Sequence, residues 1–214
     1  MKTAVLVDGG FYRKRAQSKL GDKTPTDRAK ELNDYCYRHL SKDGDVLYRI
    51  FYYDCPPMDK KLYHPFLNKQ IDFGKSDLYI WMNSFLDELK RKRKFALRLG
   101  KLADAQAYYT IRYDILKKLC NKSLAFSDLK EQDFMLALDQ KGVDMKIGID
   151  IASLAFKKQV ERIVLIAGDS DFVPAAKLAR REGIDFILDP LHAPIKSDLF
   201  EHIDGLYTCD PRFK

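Results

Sequence analysis

Cysteine and histidine are scarce in this chain, and neither is clustered. Cys36, Cys55, Cys120 and Cys209 lie far apart with no CxxC pair, and His39, His64, His192 and His202 show no HxxxH spacing. This pattern argues against a zinc site and a disulfide framework, and scattered reduced thiols fit a cytoplasmic protein. Long apolar runs are missing too, since nothing approaches the roughly 20 residues of a membrane span. The opening "MKTAVLVDGG" is too short an apolar run for a signal peptide, and an aspartate interrupts it. No membrane partner is expected. Internal repeats, low-complexity tracts and long linkers are absent as well.

What remains is a globular composition, 46% hydrophobic and 32% charged over 214 residues. That is enough for a sizeable core in one domain, residues 1–214, carrying a large insertion at about 56–130. The formal net charge of +7 leans modestly toward polyanionic partners.

The order of elements points to an α/β fold. "TAVLVD" (3–8) reads as a strand buried on both faces, and "DVLYRIFYYD" (45–54) as a second. Between them a helix is predicted over about 26–40, with Thr26 as its N-cap. In the insertion, "DLYIWMNSFLDELKRKRK" has the pattern of an amphipathic helix. "FALRLG" and "AQAYYTIRYDIL" alternate with period two and predict a hairpin, although "YDILKKLC" reads equally as helix. "GVDMKIGIDIASLAFKKQ" predicts a helix with Met145, Ile149, Ala152 and Phe156 near one face. "VERIVLIAG" is a strand, "DFVPAAKLARREG" a helix with Pro174 in its first turn and Gly183 at its stop, and "IDFILDP" a further strand. "PIKSDLFEHID" and "GLYTC" close the chain as a short helix and a last strand. Alternation with crossovers this short predicts a mainly parallel central sheet flanked by helices.

Open parallel sheets bind ligands at the carboxyl ends of their strands, and acids stand there. Asp8 ends the first strand, Asp169 and Asp171 follow the strand 161–167, and Asp144 opens a helix after "QKGV". Capping of helix N-termini explains any one of them about as well as chemistry does. Four together raise one another's free energy unless a cation neutralises them. An all-oxygen donor set suits Mg²⁺ or Mn²⁺, which can orient a water and stabilise charge on a phosphodiester. Asp150 lies about 240° around the helix from Asp144, so the two cannot face one ion; it is read as a supporting or structural acid. Asp185 and Asp189 are read as caps and turn residues.

Three segments, "AVLVDGGF", "QKGVDMKIGIDIASLA" and "IVLIAGDSDFVPAAKLARREG", together resemble the NYN domain, in its LabA-like branch of the PIN-like nuclease superfamily. The resemblance covers 1–54 and about 131–208. It implies a Rossmann-like PIN fold and metal-dependent cleavage of RNA, with Asp8, Asp144, Asp169 and Asp171 binding Mg²⁺ or Mn²⁺ and activating a water. Lys141 matches the lysine of the family's "KGVD" segment and is expected to hold a phosphate, or else to be a solvated turn residue. Ser170 is expected to bind a carboxylate or cap the helix. Many NYN domains carry Asn three residues after the first Asp, where this chain has Phe11. An aromatic cannot supply that amide, although it can stack on a base.

Residues 90–101, "KRKRKFALRLGK", hold seven Lys or Arg and no acid, and "YRKRAQSK" adds four basic residues beside the Asp8 loop. A solvated helix end accounts for such a run as readily as a phosphate groove does. In the second reading, Arg13, Lys14, Arg91, Arg93, Arg98 and Lys141 contact the backbone of single-stranded or structured RNA, while Tyr108 or Tyr109 stacks on bases. The leading expectation is therefore an RNA endonuclease. Its rival is an RNA-binding or regulatory module without turnover, and self-association into a homo-oligomer is left open. An aspartyl-phosphate phosphatase is disfavoured, because Gly10 occupies the second position of the DxD pair such enzymes need on strand one.

Overall fold

In the structure, a computed structural model that describes residues 1–40 and 44–214 and leaves the side chain of Ser170 undescribed, the first strand is β1 (Lys2–Asp8). Thr3 to Val7 are all fully buried, as a strand covered on both faces requires. It is joined in one sheet by β2 (Val46–Asp54), β3 (Phe95–Leu99), β4 (Arg162–Ile166), β5 (Asp185–Asp189) and β6 (Gly205–Leu206). The order is β6-β5-β4-β1-β2-β3, and every pairing is parallel. From β1 the chain steps outward to β2 and β3. It then returns to the other side of β1 and steps outward again through β4, β5 and β6. The order thus reverses between β1 and β4.

Five longer helices serve this sheet: α1 (Gly9–Leu20), α2 (Pro25–Arg38), α3 (Asp77–Arg91), α4 (Val143–Phe156) and α5 (Val173–Arg181). Helix α1 escaped the sequence reading because it has no apolar stripe; only Gly9, Tyr12 and Ala16 are buried along it. Helix α2 is capped by Thr24, whose hydroxyl accepts a hydrogen bond from the Asp27 amide at 3.1 Å, not by Thr26 as predicted. Pro25 decides this, because its fixed φ suits the first helical position and places the cap one residue earlier.

Two further expectations are corrected. The expected hairpin does not form. Phe95–Leu99 pairs with β2 as the edge of the parallel sheet, and Tyr108–Ile111 pairs antiparallel with Phe134–Ala137. Period two identifies strands but not their partners. Helix α4 buries Val143, Ile147, Ile151, Leu154 and Ala155, while Met145, Ile149 and Phe156 are exposed. A helix this rich in apolar residues offers more than one stripe, and packing against the sheet selects among them.

The described chain divides into two compact units. The first, Met1–Pro56 with Trp81–Lys101 and Gly142–Lys214, holds the six-stranded sheet. The second comprises Pro57–Ile80 and Leu102–Lys141. It contains the two-stranded ribbons Lys61–His64 with Lys69–Asp72 and Tyr108–Ile111 with Phe134–Ala137, and the helix Tyr113–Cys120. The stretch read as one insertion is therefore interrupted. Most of α3 and all of β3 belong to the sheet unit, where Met82, Phe85, Leu86 and Leu89 of α3 form a buried stripe.

Gly9 begins α1 where the helix passes closest to β2. A Cβ built there would lie 2.4 Å from Cζ of Tyr52 and 2.7 Å from the Tyr53 carbonyl oxygen. Tyr52 is fully buried and the carbonyl is backbone, so neither can yield cheaply. Gly9→Ala is expected to destabilise the protein by about 3 kcal/mol, the upper range for overpacking, as a lowered midpoint in urea unfolding.

Candidate active site

The reversal of strand order places the carboxyl ends of β1 and β4 side by side, the crevice in which open parallel sheets receive ligands. In register, Val7 faces Ile166 and Asp8 faces Tyr53, so Asp8 stands at that edge and Gly168–Asp169 lie just past the end of β4. The Asp8 carboxylate caps α1, accepting a hydrogen bond from the Phe11 amide at 3.0 Å. Asp169 accepts from the Asp171 amide at 3.2 Å in the turn before α5. Asp144 sits in the first turn of α4, after Gly142 takes a left-handed conformation at φ 80°. Capping and convergence are thus both present.

The electrostatics tie these acids together. Burial, opposed in part by the Phe11 amide, and then the charges of Asp144 and Asp54 push the Asp8 carboxyl up to about 6. Asp144 is also raised, first by desolvation and then by Asp169 and Asp171. Among the described residues, none of these four acids has an ion-pair partner within 4.0 Å. The result is a concentration of negative charge that no ion pair among the described residues offsets.

Asp54 is the member that the sequence reading missed. It ends β2 as Asp8 ends β1, so its place after "FYY" was the available signal. It is almost fully buried, forked by Arg13 at 2.8 and 3.1 Å, and also accepts from the Tyr52 hydroxyl at 2.9 Å and the Cys55 amide at 2.8 Å. Arg13, expected on phosphate, is therefore committed to a carboxylate. Arg98 likewise bonds Asp150 at 3.1 Å and lies over the Phe51 ring, and Tyr53 donates to the same Asp150 at 2.8 Å. Asp150, read as a supporting or structural acid, is thus engaged by two side chains of the sheet. Arg91 is exposed and paired with Glu88 at 2.9 Å, while Lys14 and Arg93 are exposed. Lys141 is exposed within the second unit, as is Tyr108, whereas Tyr109 packs on His64 with ring centres 4.1 Å apart. The role expected of the Ser170 side chain lies outside the described residues.

Phe11 is part-buried against the loop after β4. A Cβ on Gly168 would meet Cε2 of Phe11 at 2.4 Å, so the ring occupies the space a side chain there would take. The apolar ring and the glycine account for each other sterically.

The oxygen-only donor set fits a hard divalent cation. The acids are not drawn into a tight cage: among the described residues, the group with three ligand atoms all within 4.8 Å is His39, Asp189 and Cys209, not these acids. Mg²⁺ dehydrates reluctantly and is usually held by one or two carboxylates with several waters, so acids spaced this way suit it better than they would suit zinc.

A six-stranded parallel sheet flanked by helices, with acids at the edge where strand order reverses, is a PIN-like fold. The NYN domain model matches residues 68–198, and the chain belongs to this family of nuclease-like domains. The match includes Asp144, Asp169 and Asp171 and leaves Asp8 outside. A crystal structure of a protein of unknown function from Vibrio parahaemolyticus is similar over 99% of this chain and 94% of its own, at 14% identity and a TM-score of 0.49. No protein of curated function is significantly similar. Among the described residues, no helix is long and apolar enough to cross a membrane.

Proposed function

We propose that the chain is a metal-dependent ribonuclease of the LabA-like branch, an endonuclease that hydrolyses RNA phosphodiesters in the cytoplasm as a single NYN domain. The observation that supports this is the uncompensated set Asp8, Asp144, Asp169 and Asp171 at the crevice edge, with Asp8 held back from ionising. These four would hold Mg²⁺ or Mn²⁺, which when bound offsets their charge, lowers the pKa of a water and stabilises charge on the phosphate.

The chain's own residues do the positioning. The Phe11 amide fixes the Asp8 carboxylate, the first turn of α4 presents Asp144, and the Asp169 turn sets Asp171 beside it. Lys14, Arg91, Arg93 and Lys141 contribute phosphate contacts, whose strength falls as salt rises. Arg13 and Arg98 act through Asp54 and Asp150, which they hold in place, in addition to their positive charge.

Phe11 favours a second reading, an RNA-binding module without turnover, because the ring against Gly168 supplies no amide at the position where many NYN domains carry Asn. One experiment separates the two. Labelled single-stranded and hairpin RNA is incubated with protein and Mn²⁺ or Mg²⁺, with and without chelator. Cleavage is expected with the metal only, and Asp144→Asn is expected to lower it at least about 100-fold, the upper end of what even an outer-shell partner of a metal costs. Intact RNA bound in a salt-dependent complex would replace the nuclease reading with the second.

A further inference from the structure

Beside the acids already named, three other side chains from distant parts of the sheet unit meet, Asp189 standing next to the end of β4, where its carbonyl accepts from the Ala167 amide at 3.2 Å. His39 follows the end of α2, Asp189 ends β5, and Cys209 lies beyond β6; His39 and Asp189 are buried and Cys209 is half-buried. His39 Nε2 is 2.9 Å from Asp189 Oδ2 and 3.6 Å from Cys209 Sγ. Cys209 is a free thiol.

Cysteine, histidine and aspartate together suggest a nucleophilic triad, and the geometry rules it out. In a triad the acid orients one ring nitrogen while the nucleophile uses the other. Here the acid and the thiol face the same nitrogen. The nitrogen, oxygen and sulfur atoms all lie within 4.8 Å of one another, and an ion that displaces the proton shared by His39 and Asp189 and the thiol proton donated toward the Tyr35 carbonyl meets three ligands at once.

The spacing agrees. Ligands at about 2.0–2.3 Å from a tetrahedral ion are separated from one another by about 3.3–3.5 Å. The nitrogen–sulfur distance of 3.6 Å already matches, and the nitrogen–oxygen distance of 2.9 Å needs to open by a few tenths of an ångström.

The surroundings hold the carboxylate as outer-shell partners hold a ligand. Asp189 Oδ1 accepts hydrogen bonds from the Leu191 amide at 2.8 Å and the Thr208 hydroxyl at 2.7 Å, and Tyr35 donates to Oδ2. An open pocket of about 300 Å³ lined by Arg38, His39, Ile187 and Tyr207 adjoins the histidine.

We propose that His39, Asp189 and Cys209 form a second metal site, selective for a thiolate-accepting ion such as Zn²⁺ and sharing no ligand with the four acids of the crevice edge. A thiolate and an imidazole disfavour Mg²⁺ and favour zinc or its spectroscopic substitute Co²⁺. The ion ties together segments 150 and 170 residues apart in sequence, and so stabilises the sheet unit. His39 and Cys209 lie outside residues 68–198 and Asp189 inside, so the full ligand set is not contained in the segment matched by the family.

Co²⁺ titration of the reduced, chelator-treated protein tests this, in a Cys120→Ser background that removes the exposed thiol. One equivalent is expected to produce a thiolate-to-cobalt charge-transfer band and to raise the Tm. The band should vanish in Cys209→Ser, and Co²⁺ affinity should fall at least about 100-fold in His39→Gln, with circular dichroism reporting that each variant is folded. Asp169→Asn should keep the band. A folded parent protein with no band would overturn the proposal. So would a band that survives Cys209→Ser or is lost in Asp169→Asn.

Discussion

Asp8→Asn is expected to make the metal-free protein more stable and, under the proposed nuclease function, to abolish cleavage of RNA. The folded protein binds the Asp8 proton more tightly than the unfolded chain, with a pKa of about 6 against an ordinary 3.8. As pH rises through that window the unfolded chain ionises freely while the folded state resists, so folding stability falls between about pH 4 and 6 and then levels off. The shift corresponds to about 3 kcal/mol at neutral pH as an upper value. Asparagine removes that cost and keeps an oxygen that can accept from the Phe11 amide, so the cap on α1 survives. Urea unfolding at pH 7 and pH 4 checks this: the gain of Asp8→Asn over wild type should be present at pH 7 and vanish near pH 4. Mg²⁺ should narrow the gap at pH 7 by stabilising the wild type more than the variant. An unchanged or lower stability of Asp8→Asn at pH 7 would mean that Asp8 is not under electrostatic strain.

Asp54→Ala is expected to be among the most damaging single changes in the sheet unit. The carboxylate is almost fully buried and satisfied by Arg13, the Tyr52 hydroxyl and the Cys55 amide. Removing it leaves a largely covered guanidinium and a buried hydroxyl with no acceptor. Breaking such a pair from one side costs about 3–5 kcal/mol. Since Asp54 also helps raise Asp8, the variant should lower the Asp8 pKa from about 6. Both effects are measurable, as a reduced urea midpoint and as a titration midpoint of the Asp8 carboxyl carbon, followed by NMR, that moves to lower pH. The double variant Arg13→Met with Asp54→Leu should recover much of the lost stability, because replacing both buried charges removes the unpaired one.

The strands and most helices were legible because their signals are local. "TAVLVD" and "IVLIAG" are continuous apolar runs bounded by Gly or Asp, and Pro174 and Gly183 bracket α5 as helix punctuation should. Legibility ended where a partner had to be chosen. Phe95–Leu99 carries the same alternation whether it pairs with a hairpin mate or with β2. Helix α4 is apolar on more than one side, and only packing against the sheet selects Ile147, Ile151 and Leu154 over Met145 and Ile149. The acids followed the same division. Asp8, Asp144, Asp169 and Asp171 were nameable because each abuts a recognisable strand end or helix start. Asp54 ends a strand too, but its importance depends on Arg13 and Tyr52 closing around it.

By itself the sequence determined an α/β chain with carboxylates at the ends of its parallel strands, because burial pattern and punctuation are encoded over a few neighbouring residues. Tertiary structure alone decided which charges are free and which are matched. It turned Arg13 and Arg98 from expected phosphate ligands into partners of Asp54 and Asp150, set Phe11 against Gly168, and brought His39, Asp189 and Cys209 to one point. Those outcomes depend on side chains up to 170 residues apart meeting across a sheet, and no spacing rule along the chain reads a distance of that kind.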